Sequence, residues 1–534
     1  MELAGFSLIA GEQTKKSGAE FRATNPATGE EIGPAFFSAS GEDVDRAARA
    51  AQEAFLVWRH ASGTQRGRVL RSIADGLDAA ADGLVQRAQL ESALPEARLR
   101  AETLRTSNQL RLFAQLVEEG SWVNARINTA MPDRKPVPRP DIRSMLQPLG
   151  PIAVFGASNF PLAFSVAGGD TASGLAAGNA VVVKAHPAHP GTSELVGKII
   201  AESIRSCDAP GGLFSLLFDA GLEAGQALVQ HPLMQAVGFT GSRRAGRALM
   251  DLAAQRPQPI PCFAEMGSTN PVFVLPGALK ARAEQIAKGL FGSFTLAAGQ
   301  QCTKPGMVFV PNQPESEPLL MELRGLTRES AAMTLLTPGI AASYRASLEA
   351  RRGADGMAMS EAAVAHNWCG AAAALLETEI DAFLRQPELS EEVFGPTSLV
   401  IRYGEREKMM RAAAELEGHL TATVLGTEED LAEYRELIAI LERKAGRLIF
   451  NGYPTGVEVS DAMMHGGPYP ATSDSRFTSV GAPAILRFAR VVCYQGCPDA
   501  MLPEELRDAN PRGILRMING SQTHEPIAQN RSHR

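Results

Sequence analysis

Between Ile152 and Glu265 short apolar runs alternate with helical stretches, and few folds accommodate that rhythm. Ile152–Phe155, Ala180–Lys184, Leu213–Phe218, Ala236–Phe239 and Pro261–Glu265 read as buried strands, with Gly191–Ile204, Leu222–Gln230 and Arg243–Ala254 as helices between them. Asn159-Phe160-Pro161 predicts the opening of another helix, with proline where a missing N–H costs nothing, and Gly178-Asn179 predicts its end. Such alternation predicts a parallel sheet covered on both faces. Ligands bind at the carboxyl ends of such strands, where Asn159, Lys184, Ser242 and Glu265 fall.

A second α/β block is expected from Asn270 to about Ser479, with strands near Val272–Leu275, Met307–Val310, Thr397–Ile401 and Arg447–Phe450. A last strand is expected over Arg487–Tyr494. Residues 1–40 are turn-rich, with Asn25-Pro26 and Thr28-Gly29, and suit a short hairpin. From Gly41 to about Leu116 apolar residues recur at three and four, with Ser40 and Asp43 as helix-start signals. Four prolines between residues 131 and 140 forbid a regular helix and predict a linker or projecting arm.

The expected fold class is therefore α/β. Residues 1–130 and 151–268 form a cofactor-binding domain, and 269–480 a catalytic domain. Residues 131–150 and 481–497 supply the arm and a last strand, and 498–534 a Pro-rich, polar tail.

Composition narrows the function. A net charge of −7 over 534 residues, with no basic run, excludes a nucleic-acid partner held by phosphate neutralisation. Six cysteines without metal-like spacing argue against disulfides and zinc, so no metal is expected and the cytoplasm is the expected compartment. The N-terminus lacks a basic signal-peptide region. The stretch Leu162–Val183 is interrupted by Asp170, Asn179 and several glycines, so no membrane span is expected there.

Three residues suggest chemistry. Cys302, in Gly-Gln-Gln-Cys-Thr, suits a nucleophile if its pKa falls or a base assists it; the plain alternative is a core thiol. Glu265, at a strand end beside Gly267, suits a general base or an ordinary surface acid. Asn159 suits an oxyanion donor or a helix cap, and the two are compatible. The turn Phe239-Thr240-Gly241-Ser242-Arg243-Arg244-Ala245-Gly246 suits a diphosphate at a helix N-terminus, or simply a tight turn.

In combination, from about Asn25 to Gln495, the chain resembles the aldehyde dehydrogenase superfamily. The resemblance rests on Ser-Asn159-Phe-Pro-Leu, Val-Val-Val-Lys184, Gly-Phe-Thr-Gly-Ser242, Glu265-Met-Gly, Gly-Gln-Gln-Cys302 and Glu391-Glu-Val-Phe-Gly-Pro396. It implies a Rossmann-like cofactor domain, an α/β catalytic domain and a β oligomerisation arm, assembled as a homodimer. It implies that Cys302 attacks an aldehyde, that Asn159 and the Cys302 N–H hold the oxyanion, and that Glu265 activates water to release the acid. Glutamate at 265 favours hydrolysis over transfer to coenzyme A. The cofactor contacts it implies are Phe155, Gly156, Ser158, Lys184, Thr240, Gly241, Ser242, Gly246, Glu392 and Phe394.

Three positions depart from the common pattern: Ser158 replaces a usual Trp, Met266-Gly-Ser-Thr269 replaces Leu-Gly-Gly-Lys, and Met307 replaces a frequent Arg. Phe-Gly-Ala-Ser-Asn159-Phe-Pro, Lys184-Ala-His-Pro-Ala-His-Pro-Gly-Thr-Ser-Glu194 and His465-Gly-Gly-Pro-Tyr-Pro-Ala471 are similar to the branch that oxidises α-ketoglutaric semialdehyde (2,5-dioxopentanoate). That branch also resembles NADP-dependent fatty aldehyde dehydrogenases. Pro187 stands where NAD-preferring relatives commonly carry Glu, so NADP is the expected cofactor, with NAD possible. Arg100, Arg105 and Lys304 are candidate cations for a substrate carboxylate. The rival readings are a medium- or long-chain aliphatic aldehyde dehydrogenase and a catalytically silent binding protein on the same fold.

Overall fold

The structure, a computed structural model, describes residues 2–363 and 368–527. The N-terminal hairpin pairs Glu20–Thr24 with Glu31–Phe37, and Gly29 takes the positive φ of its turn. Four helices follow, Gly41–Trp58, Gly63–Ala79, Ala81–Ser92 and Glu96–Glu119. Ser40 caps the first in a reciprocal capping box with Asp43, which satisfies two otherwise orphaned N–H groups.

These helices cover a seven-stranded sheet. Its parallel part runs Cys262–Glu265, Ala236–Thr240, Ile152–Phe155, Val181–Lys184, Phe214–Leu217; Leu8–Ile9 and Glu12–Gln13 complete it antiparallel. Chain order reverses between the strands ending at Phe155 and Thr240. That is a topological switch point, where connections leave to opposite faces and a crevice opens at the carboxyl ends.

One expected element begins elsewhere. Residues 161–168 form turns and the helix starts at Gly169, running to Ala177 with Gly178 left-handed at its end. The cause is Glu102, whose carboxylate takes the Leu162 and Ala163 N–H groups and so replaces a first helical turn. Asn159 accordingly caps no helix.

The second sheet runs Ala358–Glu361, Ala374–Glu379, Thr397–Tyr403, Met307–Pro311, Val272–Val274, His419–Leu425, Ala445–Phe450, all parallel but for the first pair. His419–Leu425, buried at every position, was absent from the expected strands, as was Ala374–Glu379. This sheet turns the amino ends of Met307–Pro311 and Thr397–Tyr403 toward the crevice, so the loops carrying Cys302 and Glu392 enter it.

The proline-rich stretch leads into a strand, Ile142–Pro148, paired antiparallel with Ala489–Gln495. Arg126–Asn128 joins its other side, and Arg516–Ile518 and Ser521–Thr523 extend this arm sheet. The C-terminal segment is thus partly built into the arm.

The segment leading into the arm is pinned to the first sheet's layer by a buried ion pair, Arg487 to Asp170 at 2.8 Å. Replacing Arg487 with Met leaves a buried carboxylate unpaired and is expected to cost about 3–5 kcal/mol. A urea midpoint shift checks this, and adding Asp170→Leu is expected to recover much of the loss.

Candidate active site

Cys302 lies in a loop whose backbone is unusually constrained. Ala297 and Ala298 adopt left-handed φ values of 53° and 57°, conformations that cost alanine energy and persist only when neighbours enforce them. Gly299 follows at φ 67°, and a Cβ there would sit 2.1 Å from the Gly395 carbonyl oxygen. The nucleophile loop therefore packs directly on the loop that carries Glu392. Asn270 anchors the far side. Its amide nitrogen donates to the Cys302 and Lys304 carbonyls at 2.8 and 2.9 Å, and its oxygen accepts from Ser268 and Thr421.

Glu265, at the end of its strand, is buried beside Cys302. Its Oε1 lies 2.9 Å from His465 Nε2, and its Oε2 accepts from the Ser479 hydroxyl at 2.6 Å. His465 Nε2 is also 3.5 Å from the Cys302 sulfur, while its Nδ1 is buried without a partner. The ligand-type atoms of Glu265, Cys302 and His465 lie within 4.8 Å of one another.

Electrostatics follow from this crowding. Burial pushes the Glu265 carboxyl up, but the charge and hydrogen bond of His465, with Ser479 and Cys302, outweigh it and leave the group below its ordinary value. Burial, then the Glu265 and Glu392 charges, drive the Cys302 thiol well above its ordinary value, with Arg105 opposing them. In this state the sulfur is a thiol, not a thiolate.

Asn159 is buried nearby. One of its amide hydrogens goes to the Gln300 carbonyl at 3.0 Å, which leaves the other to donate. Arg98 fixes its backbone by donating to its carbonyl oxygen at 2.7 Å.

A cleft of about 500 Å³ opens at the switch point. Gly156, Ser158, Thr240, Gly241, Ser242, Glu392 and Phe394 line it together with Asn159, Glu265 and Cys302. Three expected contacts do not: Phe155 packs toward Gly225, Gly246 underlies Met266 and Phe239, and Lys184 is half-buried at its strand end. The Glu392 carboxyl faces Gly267 so closely that a Cβ there would meet Oε2 at 1.9 Å, and its Oε1 is buried without a partner. Burial pushes it up to about 7, against the pull of Lys304.

A second cavity, about 320 Å³, lies on the other side of Cys302 and shares only Phe160, Phe164 and Cys302 with the first. Of the three candidate substrate cations, Arg105 lines it. Lys304 instead is buried and donates to the Thr397 carbonyl, and Arg100 is a surface residue paired with Glu96 and Asp82. Sequence reasoning assigned no role to His465, Ser479, Asn270, Arg98 or Glu102. Only His465 carried a signal, its place in a subgroup motif.

A nucleotide-type crevice that ends on a cysteine, a carboxylate and an amide defines a thiol-dependent oxidoreductase. Comparison with known proteins makes that specific: residues 13–329 match the model of the aldehyde dehydrogenase family, and the chain belongs to that family. It is 49% identical over 524 residues to alpha-ketoglutaric semialdehyde dehydrogenase 2 of Azospirillum brasilense, covering 97% of this chain and 99% of that one. It is 44% identical over 521 residues to alpha-ketoglutaric semialdehyde dehydrogenase of Acinetobacter baylyi, with the same coverage. Among solved structures it superposes on PnpE in complex with nicotinamide adenine dinucleotide with a TM-score of 0.78, at 20% identity, covering 92% of this chain and 97% of that one.

The charge on Glu265 is one cause of the raised Cys302 pKa, so Glu265→Gln is expected to lower it. Alkylation of Cys302 by iodoacetamide at pH 7 then accelerates, by up to about tenfold per pKa unit regained. Mass-spectrometric timing of the modification measures it; an unchanged rate contradicts the assignment.

Proposed function

We propose that this chain oxidises 2,5-dioxopentanoate to 2-oxoglutarate through a thioester on Cys302, with a nicotinamide cofactor, NADP in preference to NAD. The observation that carries the chemistry is the meeting of two cavities at Cys302, with Glu265 and Asn159 beside it. The substrate is drawn from the two relatives that match nearly end to end.

In this reading the Cys302 thiol passes its proton to Glu265, which releases it to solvent, and the sulfur attacks the aldehyde carbon. The free Asn159 N–H donates to the oxygen that becomes negative, which favours the transition state over the ground state. When bound, the nicotinamide supplies the hydride acceptor that turns this adduct into a thioester. Glu265, charged at neutral pH, then takes a proton from water, whose oxygen attacks the acyl carbon, and Cys302 departs as thiolate. His465 and Ser479 hold the carboxylate in place for that transfer.

The cleft fits such a cofactor. Thr240, Gly241 and Ser242 precede the helix Arg243–Ala254, whose free N–H groups suit a diphosphate. The unpartnered Glu392 Oε1 is an acceptor for ribose hydroxyls. Among the described residues the carboxylates lining the cleft are Glu265 and Glu392, and Pro187 follows Lys184 and His186 where an acid would repel a 2′-phosphate. That supports NADP.

Two measurements test the reading. Glu265→Gln is expected to accumulate acylated Cys302, seen by intact mass, while steady-state turnover falls about 10²–10⁴-fold; Cys302→Ala should form no adduct and show no turnover. Initial rates with NADP and NAD, on 2,5-dioxopentanoate and hexanal, are expected to be greatest for the keto acid with NADP. A preference for hexanal makes the protein an aliphatic aldehyde dehydrogenase, and comparable efficiency with NAD removes the cofactor assignment.

A further inference from the structure

The second cavity carries three charged side chains, all from the helix Glu96–Glu119: Arg98, Glu102 and Arg105. Two of them are already committed. Glu102 accepts from the Leu162 and Ala163 N–H groups and lies 3.7 Å from Arg98. Arg98 donates to the Asn159 carbonyl and stacks over Phe160 at 4.7 Å. Their work is to hold the loop that presents Asn159.

Arg105 is different. Its guanidinium lies over the Phe164 ring at 5.2 Å and makes one hydrogen bond, to the Val457 carbonyl at 3.1 Å. Among the described residues it forms no ion pair; Glu458, the nearest in sequence to its carbonyl partner, is exposed and beyond ion-pair distance. A guanidinium offers five N–H donors in a planar fork that matches a carboxylate in two parallel bonds. Here most of those donors are unclaimed by the protein, on a half-buried side chain whose partial burial lowers the pKa of the group. A carboxylate brought into the cavity can take two of those donors at once. Phe164, on which it stacks, also lines the cleft on the other side of Cys302.

We propose that Arg105 is the specificity-determining residue for substrate, holding the carboxylate of a short ω-oxo acid while its aldehyde end reaches Cys302. The proposal rests on the substrate reading above and deepens it: the cavity selects aldehydes that end in a carboxylate. Phe160 and Phe164 flank the path, so an uncharged aldehyde of similar length gains apolar contact but no anchor.

The test compares Arg105→Leu and Arg105→Lys with wild type. The readout is the ratio of kcat/KM for 2,5-dioxopentanoate to that for pentanal. In Arg105→Leu the ratio is expected to fall about thirtyfold or more, through KM for the keto acid, and Arg105→Lys is expected to recover part of it. An equal loss on both aldehydes, or no loss, overturns the anchor. A binding readout separates this from the substrate reading: glutarate is expected to shield Cys302 from iodoacetamide in wild type and not in Arg105→Leu. If wild type does not favour the keto acid over pentanal, the substrate reading falls. The anchor itself falls if glutarate fails to shield wild type or shields both proteins alike.

Discussion

The geometry around Cys302 depends on one buried amide. Asn270, itself held at a left-handed φ of 46°, ties the nucleophile loop to the amino end of the second sheet by bonding the carbonyls on either side of Thr303. Its oxygen and both hydrogens are engaged, so the side chain has a single arrangement available. From that fixed point the loop must climb through two left-handed alanines and a glycine to reach the preceding helix. The strain at Ala297 and Ala298 is held by the neighbouring Gly299, packed on Gly395, and by Ala298 clustering with Tyr344 and Val393. A nucleophile placed this way is rigid before anything binds, which is what positioning chemistry requires.

Charge in the site is arranged to be unequal. Two carboxylates, Glu265 and Glu392, share one buried region with a thiol. His465 and Ser479 keep the first ionised, while burial pushes the second toward neutrality with Lys304 beside it. Groups of one chemical type thus acquire separate states from their neighbours alone. The same field suppresses the thiolate, so a rise in nucleophilicity must come with a change in the site's charge.

Much of this architecture is legible in the residues. The strand Ile152–Phe155, buried at every position, and the helix Arg243–Ala254, capped by Ser242, fall where apolar run and turn chemistry place them. Cys302, Glu265 and Asn159 meet, as the resemblance implies. What escapes is what depends on distance along the chain. Glu102 reaches 60 residues to take two N–H groups, and so shifts a helix start that Asn159-Phe160-Pro161 otherwise signals. His465 lies 200 residues from Glu265, with no local pattern to declare it a partner. Lys304 reads as a free cation next to the nucleophile, yet its neighbours bury it. His419–Leu425 alternates polar and apolar residues as a half-exposed strand would, yet both of its faces are covered.

The two cavities touch only at the sulfur and two phenylalanine rings. Their linings are otherwise separate, so both can be occupied at once. Cys302 is in effect a wall shared by two rooms. Whatever fills the smaller room meets whatever fills the larger one only at that sulfur and the two rings beside it.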